Sequence, residues 1–120
     1  MPVNVSFALT TQQILDETKT VTRRSGKRQY KAGQLIQAVN KAMGFKKGEH
    51  PVKLKLLEVT NVCYEPLDEI TVTDLKHEGF PDMTKRQFID MYCKANKVTP
   101  NSIVQVIEFR YVKEEKPLLI

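Results

Sequence analysis

Near the start of the chain Val3, Val5 and Phe7 alternate with Asn4, Ser6 and Ala8, the period-two signature of a strand with one buried face. Thr10 with Gln13 three positions later matches a capping box, and Leu9 and Ile14 occupy the two positions of a hydrophobic staple, which predicts a short helix over Thr11–Glu17. The same signature recurs twice. Ile70-Thr71 with Asp74 and Leu75 predicts a helix over Val72–Glu78 that Gly79 can end, and Met83-Thr84 with Gln87 and Phe88 predicts a third ending near Ala95. Thr20-Val21-Thr22 is β-branched and should extend, residues 24–28 make a polar turn, and Leu35–Val39 reads as another strand. From Val52 to Val59 the apolar alternation changes phase between Leu56 and Leu57, the mark of a strand carrying a bulge. A last strand is expected over Ile103–Val112, apolar on both faces, and residues 113–120 carry no pattern and read as a fraying tail.

About five strands with three short helices point to an α+β fold, a small curled mixed sheet or barrel, formed by residues 1–112 as one domain. The first residues lack a basic segment followed by an apolar run, and no later stretch approaches the ~20 apolar residues of a membrane span, so a cytoplasmic address without membrane contact is expected. Cys63 and Cys93 lie far apart without CxxC spacing and are expected to be reduced and buried. With His50 and His77 the only histidines, neither a metal nor another cofactor is expected. The net charge of +5 favours an anionic partner without naming one. Its distribution says more: Lys19, Arg23, Arg24, Lys27, Arg28 and Lys31 fall in one stretch with no acid between them. Such a stretch serves either as a phosphate-attracting rim or simply as a solvated loop.

Thr18 to Arg24 is the most informative segment for chemistry. It leaves a helix and enters a strand, so Thr20, Thr22 and Arg24 should share one face with Lys19 at the corner. That groups an amine, a hydroxyl and a guanidinium. A hydroxyl beside a desolvated amine is one way to build a nucleophile and its base, although an exposed Thr/Arg strand edge would carry the same spacing. Glu78 breaks a local rule, because it falls in the last turn of its helix, where the macrodipole disfavours a carboxylate and would raise its pKa, as suits a proton donor. No GxxxxGK[ST], GxSxG or HExxH pattern is present. Tyr30, Phe45, Phe80 and Tyr92 could stack on bases, but their apolar neighbours fit core positions equally well.

Phe7 to Leu15, Thr18-Lys19-Thr20-Val21-Thr22-Arg23-Arg24, Lys31-Ala32-Gly33-Gln34-Leu35, Glu65-Pro66-Leu67 through Asp74, Glu78-Gly79-Phe80-Pro81 and Ile107-Glu108-Phe109-Arg110-Tyr111 together resemble the ordered motif series of the ASCH family. The resemblance covers nearly the whole chain and implies a PUA-like β-barrel with a cleft along the strand after the first helix. Some small members of that family are amidohydrolases that deacetylate N4-acetylcytidine. Carried over, Lys19 would be the base or amine partner, Thr22 the nucleophile, and Glu78 the proton donor, with Glu69 or Asp74 as alternative carboxylates. Arg24, Thr20, Arg23 and Phe80 would contact the substrate, and Lys27, Arg28 and Lys31 would form a nucleic-acid rim. The implied partner is a nucleoside or RNA, with a monomer favoured, and residues 41–50 would form an inserted loop near the cleft. The alternatives are a non-catalytic module that binds RNA or modified nucleotides, and a ribonuclease.

Overall fold

The computed structural model describes residues 2–113, so residues 114–120 of the expected tail lie outside it. Among the described residues the elements run β1 (Val3–Ser6), α1 (Thr11–Leu15), β2 (Val21–Arg24), β3 (Leu35–Val39), β4 (Lys53–Pro66), α2 (Val72–Glu78), α3 (Lys85–Asn96) and β5 (Ile103–Tyr111), with a 3-10 turn at Leu67–Glu69. The strands form one mixed sheet in the order β1-β3-β4-β5-β2, with β1 parallel to β3 and the other pairs antiparallel. This is the expected α+β class, with the sheet curled into a half-barrel rather than closed. No helix among the described residues is long and apolar enough to cross a membrane.

The open seam lies between the two edge strands, β1 and β2. Arg24, the last residue of β2, donates from Nη2 to the Ser6 carbonyl at 2.7 Å, and Arg28 donates to the Asn4 carbonyl at 3.2 Å. Two carbonyls of β1 are thus satisfied by arginines where a closed barrel would supply a strand.

Two hydrophobic clusters lie on either side of β5. Phe7, Ile14, Leu57, Ile107 and Phe109 pack inside the half-barrel, while Val104 and Val106 pack with Leu75 of α2 and Phe88 and Ile89 of α3. Burial of Val104 through Ile107 without a break matches the two-faced apolar pattern of that strand.

The helix signatures were met unequally. In α2 the Thr71 hydroxyl accepts from Asp74 N–H and the Asp74 carboxylate accepts from Thr71 N–H; Thr84 and Gln87 do the same for α3. At α1 neither the box nor the staple forms: Thr10 makes no side-chain cap and Leu9 is 64% exposed. The helix also stops at Leu15, because Glu17 turns into the left-handed region at φ 60°. Strand β4 runs on to Pro66 rather than ending at Val59, and its register against β5 shifts between Val59 and Asn61, four residues beyond the expected phase change. Past that bulge most of its side chains face solvent, so no apolar alternation marks the continuation. Cys63 is exposed and Cys93 half-buried, which corrects the expectation that both are buried; both are free thiols.

Candidate functional site

Lys19 stands at the corner where the α1 turn meets β2, and it is held from several directions. Its N–H donates to the Gln13 carbonyl at 3.3 Å, and its own carbonyl accepts from the Tyr111 hydroxyl at 2.6 Å. The side chain is 2% exposed, and Nζ donates to the Glu78 carbonyl at 2.7 Å and to Glu78 Oε1 at 3.0 Å. Burial pushes the Lys19 amine below its ordinary 10.5, and the attraction of Glu78 only partly offsets this.

Glu78 is not left alone at the end of its helix. Its second oxygen accepts from Arg23 Nη1 at 2.8 Å, so the buried carboxylate sits between two cations. Arg23 is itself anchored by Glu65 at 2.7 Å and by Asp74 at 3.4 Å. Burial works against the Arg23 charge, but the bonds to Glu65 and Glu78 and the nearby Asp74 together raise its pKa. Arg23 therefore fixes Glu78 while also lining the same cavity as Lys19 and Thr22.

Gly79 turns the chain immediately after Glu78. Its φ is +100°, and a Cβ built there would lie 2.8 Å from Gln13 Cγ. The Gln13 side chain, instead of capping α1, donates to the Gly79 carbonyl at 3.1 Å while its backbone carbonyl receives Thr18 and Lys19 N–H. One residue thus ties the Lys19 corner to the Glu78 corner. Gly79→Ala is expected to destabilise the protein by about 2 kcal/mol in urea unfolding, because strain and overlap act at one position.

These groups open onto a cavity of about 220 Å³ in the seam, lined by Lys19, Thr22, Arg23 and Glu78 among others. Residues 6–10 line one side, and Phe80 and the α3 side chains Phe88, Met91, Tyr92 and Asn96 line the other. Arg24 also lines the cavity, its guanidinium 4.6 Å from the Phe7 ring centroid. Its Nε is buried without a hydrogen-bond partner, and among the described residues no carboxylate pairs with it. Burial holds the Arg24 pKa below its ordinary value, with Tyr30, Glu78 and Tyr92 opposing. Burial likewise raises the Tyr92 hydroxyl, whose partner is Ser25 Oγ at 2.8 Å.

No protein-family model and no curated protein matches the chain. Solved structures do match its shape. Protein EF3133 from Enterococcus faecalis, described under DUF984, superposes with a TM-score of 0.65 at 15% identity, over 93% of this chain and 76% of its own. An ASCH domain from Lactobacillus crispatus gives 0.61 at 13% identity, over 91% of this chain and 78% of its own. The fold is of the ASCH type. The hypothetical protein PH0355 has a similar shape, with a TM-score of 0.61 at 12% identity over 92% and 97% of the two chains.

Within this ASCH fold the structure brings together Lys19, Thr22, Arg23, Arg24, Glu78 and Phe80 around one cavity. Thr20 is not among them. It precedes β2, is exposed, and spends its backbone on His77 and Phe109. Glu69 is exposed in the 3-10 turn, and Asp74 contacts Arg23 rather than Lys19, which leaves Glu78 as the carboxylate at the cavity. Lys27, Arg28 and Lys31 are exposed on the loop after β2. No residue of the 41–50 segment lines the cavity. Of the α3 residues at the cavity, sequence reasoning singled out only Tyr92, although Phe88, Tyr92 and Asn96 recur at four-residue spacing on one helix face.

Proposed function

We propose that the protein is an amidohydrolase that deacylates the exocyclic amine of a nucleoside, with N4-acetylcytidine as the reference substrate. The observation that carries this reading is a cavity lined by the buried Lys19, Thr22 and Glu78 together with the aromatic side chains of Phe80, Phe88 and Tyr92. A planar base fits against Phe80, Phe88 and Tyr92, while the acylated amine is directed at Thr22.

In the first step Thr22 Oγ bonds to the amide carbonyl carbon and its proton passes to the neutral Lys19 amine. The carbonyl oxygen becomes an oxyanion, for which Arg24, lining the cavity, supplies positive charge. Collapse breaks the C–N bond, the leaving amine takes a proton from Lys19, and an acyl ester remains on Thr22. Water, deprotonated by Lys19, then attacks the ester; as the C–O bond breaks the proton passes from Lys19 to Thr22 Oγ, and the released acid ionises to a carboxylate. Glu78 keeps Nζ in place through both transfers by accepting its hydrogen bond.

A binding module would use the same basic loop, but it gives no role to a desolvated amine at the cavity that Thr22 also lines. A ribonuclease reading finds no histidine at the cavity. The deciding experiment is incubation of the protein with N4-acetylcytidine and chromatography of released cytidine. Release that is lost in Lys19→Ala supports the reading, and no release from the wild-type protein overturns it.

The pH dependence follows from the lowered Lys19 pKa. Neutral amine accumulates below 10.5, so the rate is expected to rise with pH and level off before that value, on a limb that Lys19→Met lacks. Stability has the same sign: between the lowered folded pKa and the unfolded value of 10.5 the unfolded chain holds more protons, so the Lys19 contribution to folding grows as pH rises through that window. Urea titrations of wild type and Lys19→Met across pH check this.

A further inference from the structure

Beyond Arg24 a second cavity of about 420 Å³ opens at the mouth of the half-barrel. The register sets Tyr64 of β4 opposite Gln105 of β5, and Gln105 opposite Arg24 of β2, so these three residues form a row across neighbouring strands on one sheet face. Ser25, Gln29 and Ser102 add polar lining, and no carboxylate lines the cavity. Tyr64 donates its hydroxyl to the Gln29 side-chain carbonyl, which fixes the ring, yet the residue is 54% exposed. Gln105 accepts from Tyr30 N–H at 3.1 Å and donates to the Arg28 carbonyl at 2.6 Å, tying the row to the basic loop. That loop passes from Gly26, which lines the cavity, into the exposed cations Lys27 and Arg28.

The two cavities adjoin. Arg24 lines both, and its Nε is buried without a partner. The Ser25–Tyr92 hydrogen bond joins a residue lining one cavity to a residue lining the other. A ligand that fills the first cavity and extends past Arg24 meets a fixed aromatic ring, neutral polar groups and cations. An aromatic platform beside cations, with no acid between, is the chemistry of a base and its phosphate.

We propose that the second cavity is a subsite for the nucleotide adjoining the target, so that the substrate is an acylated residue within a single-stranded oligonucleotide. This rests on the deacylase reading of the first cavity. The neighbouring base stacks on Tyr64, and the phosphate between the two nucleotides lies against Arg24, Lys27 and Arg28. Because every base offers a flat face, the subsite selects for the presence of a neighbour and not for its sequence.

The test compares N4-acetylcytidine with a ribotrinucleotide carrying it at the central position, using the wild-type protein, Tyr64→Ala, and the double variant Lys27→Glu/Arg28→Glu. The wild-type protein is expected to prefer the trinucleotide by about tenfold or more in kcat/KM, and Tyr64→Ala to lose about tenfold on the trinucleotide alone. The double variant should flatten the salt dependence on the trinucleotide and lower its kcat/KM by more than that of the nucleoside. Equal kcat/KM for the two substrates, or an equal loss on both in Tyr64→Ala, overturns the subsite while the deacylase reading stands. If neither substrate is cleaved, the deacylase reading fails, and tyrosine-fluorescence titration with the unmodified trinucleotide decides the subsite separately. Binding that Tyr64→Ala abolishes supports it, and absence of binding removes it.

Discussion

Replacing Thr22 by valine is expected to lower kcat/KM for deacylation by about a thousandfold or more while leaving the urea midpoint nearly unchanged. Valine has the shape of threonine and the same preference for a strand, so β2 keeps its pairing with β5 and the 4% exposed position stays filled. Only the hydroxyl is removed. Thr22→Ser, which restores the oxygen but not the methyl group, is expected to recover most of the activity. Turnover retained in the valine variant would remove Thr22 as the nucleophile, and the chemistry would then have to run through water alone.

The largest stability effect is expected at Glu78. In Glu78→Gln the buried ammonium of Lys19 and the guanidinium of Arg23 lose the carboxylate between them, and leaving buried charge unpaired typically costs about 3 kcal/mol or more. Glu65→Gln is the matched comparison. Its side chain is 28% exposed and Arg23 keeps Glu78 and Asp74, so a loss below about 1 kcal/mol is expected. Urea unfolding of the two variants, read beside deacylation, separates the roles. Equal costs would mean that Glu78 holds the fold no more firmly than a rim carboxylate does.

Much of the fold was legible where local chemistry decides it. The two complete capping boxes, the glycine that ends α2 and the two-faced apolar run of β5 each follow from side chains within a few positions of one another. Lys19, Thr22, Arg24 and Glu78 could also be picked out, since they break or concentrate local patterns. Long-range partners were not legible. Gln13 matches a capping box by spacing, yet its amide is taken by Gly79, 66 residues away. Arg23, expected from the resemblance to contact substrate, does line the cavity, but the three carboxylates from β4 and α2 that converge on it have no local signal. Thr20 shares the parity of Thr22, but β2 begins one residue later, and parity has no meaning outside the strand.

The hydroxyl of Tyr111 on the Lys19 carbonyl spans 92 positions of sequence. Among the described residues strand β5 is also the only ladder partner of β2, so the strand that presents Thr22 and Arg24 lacks its pairing strand until residues 103–111 are in position. As the chain leaves the ribosome, helices α2 and α3 are therefore translated before their neighbour β2 has its pairing strand. The candidate site is accordingly among the last parts of the domain to take shape, and its activity would report completed folding more faithfully than helix content does.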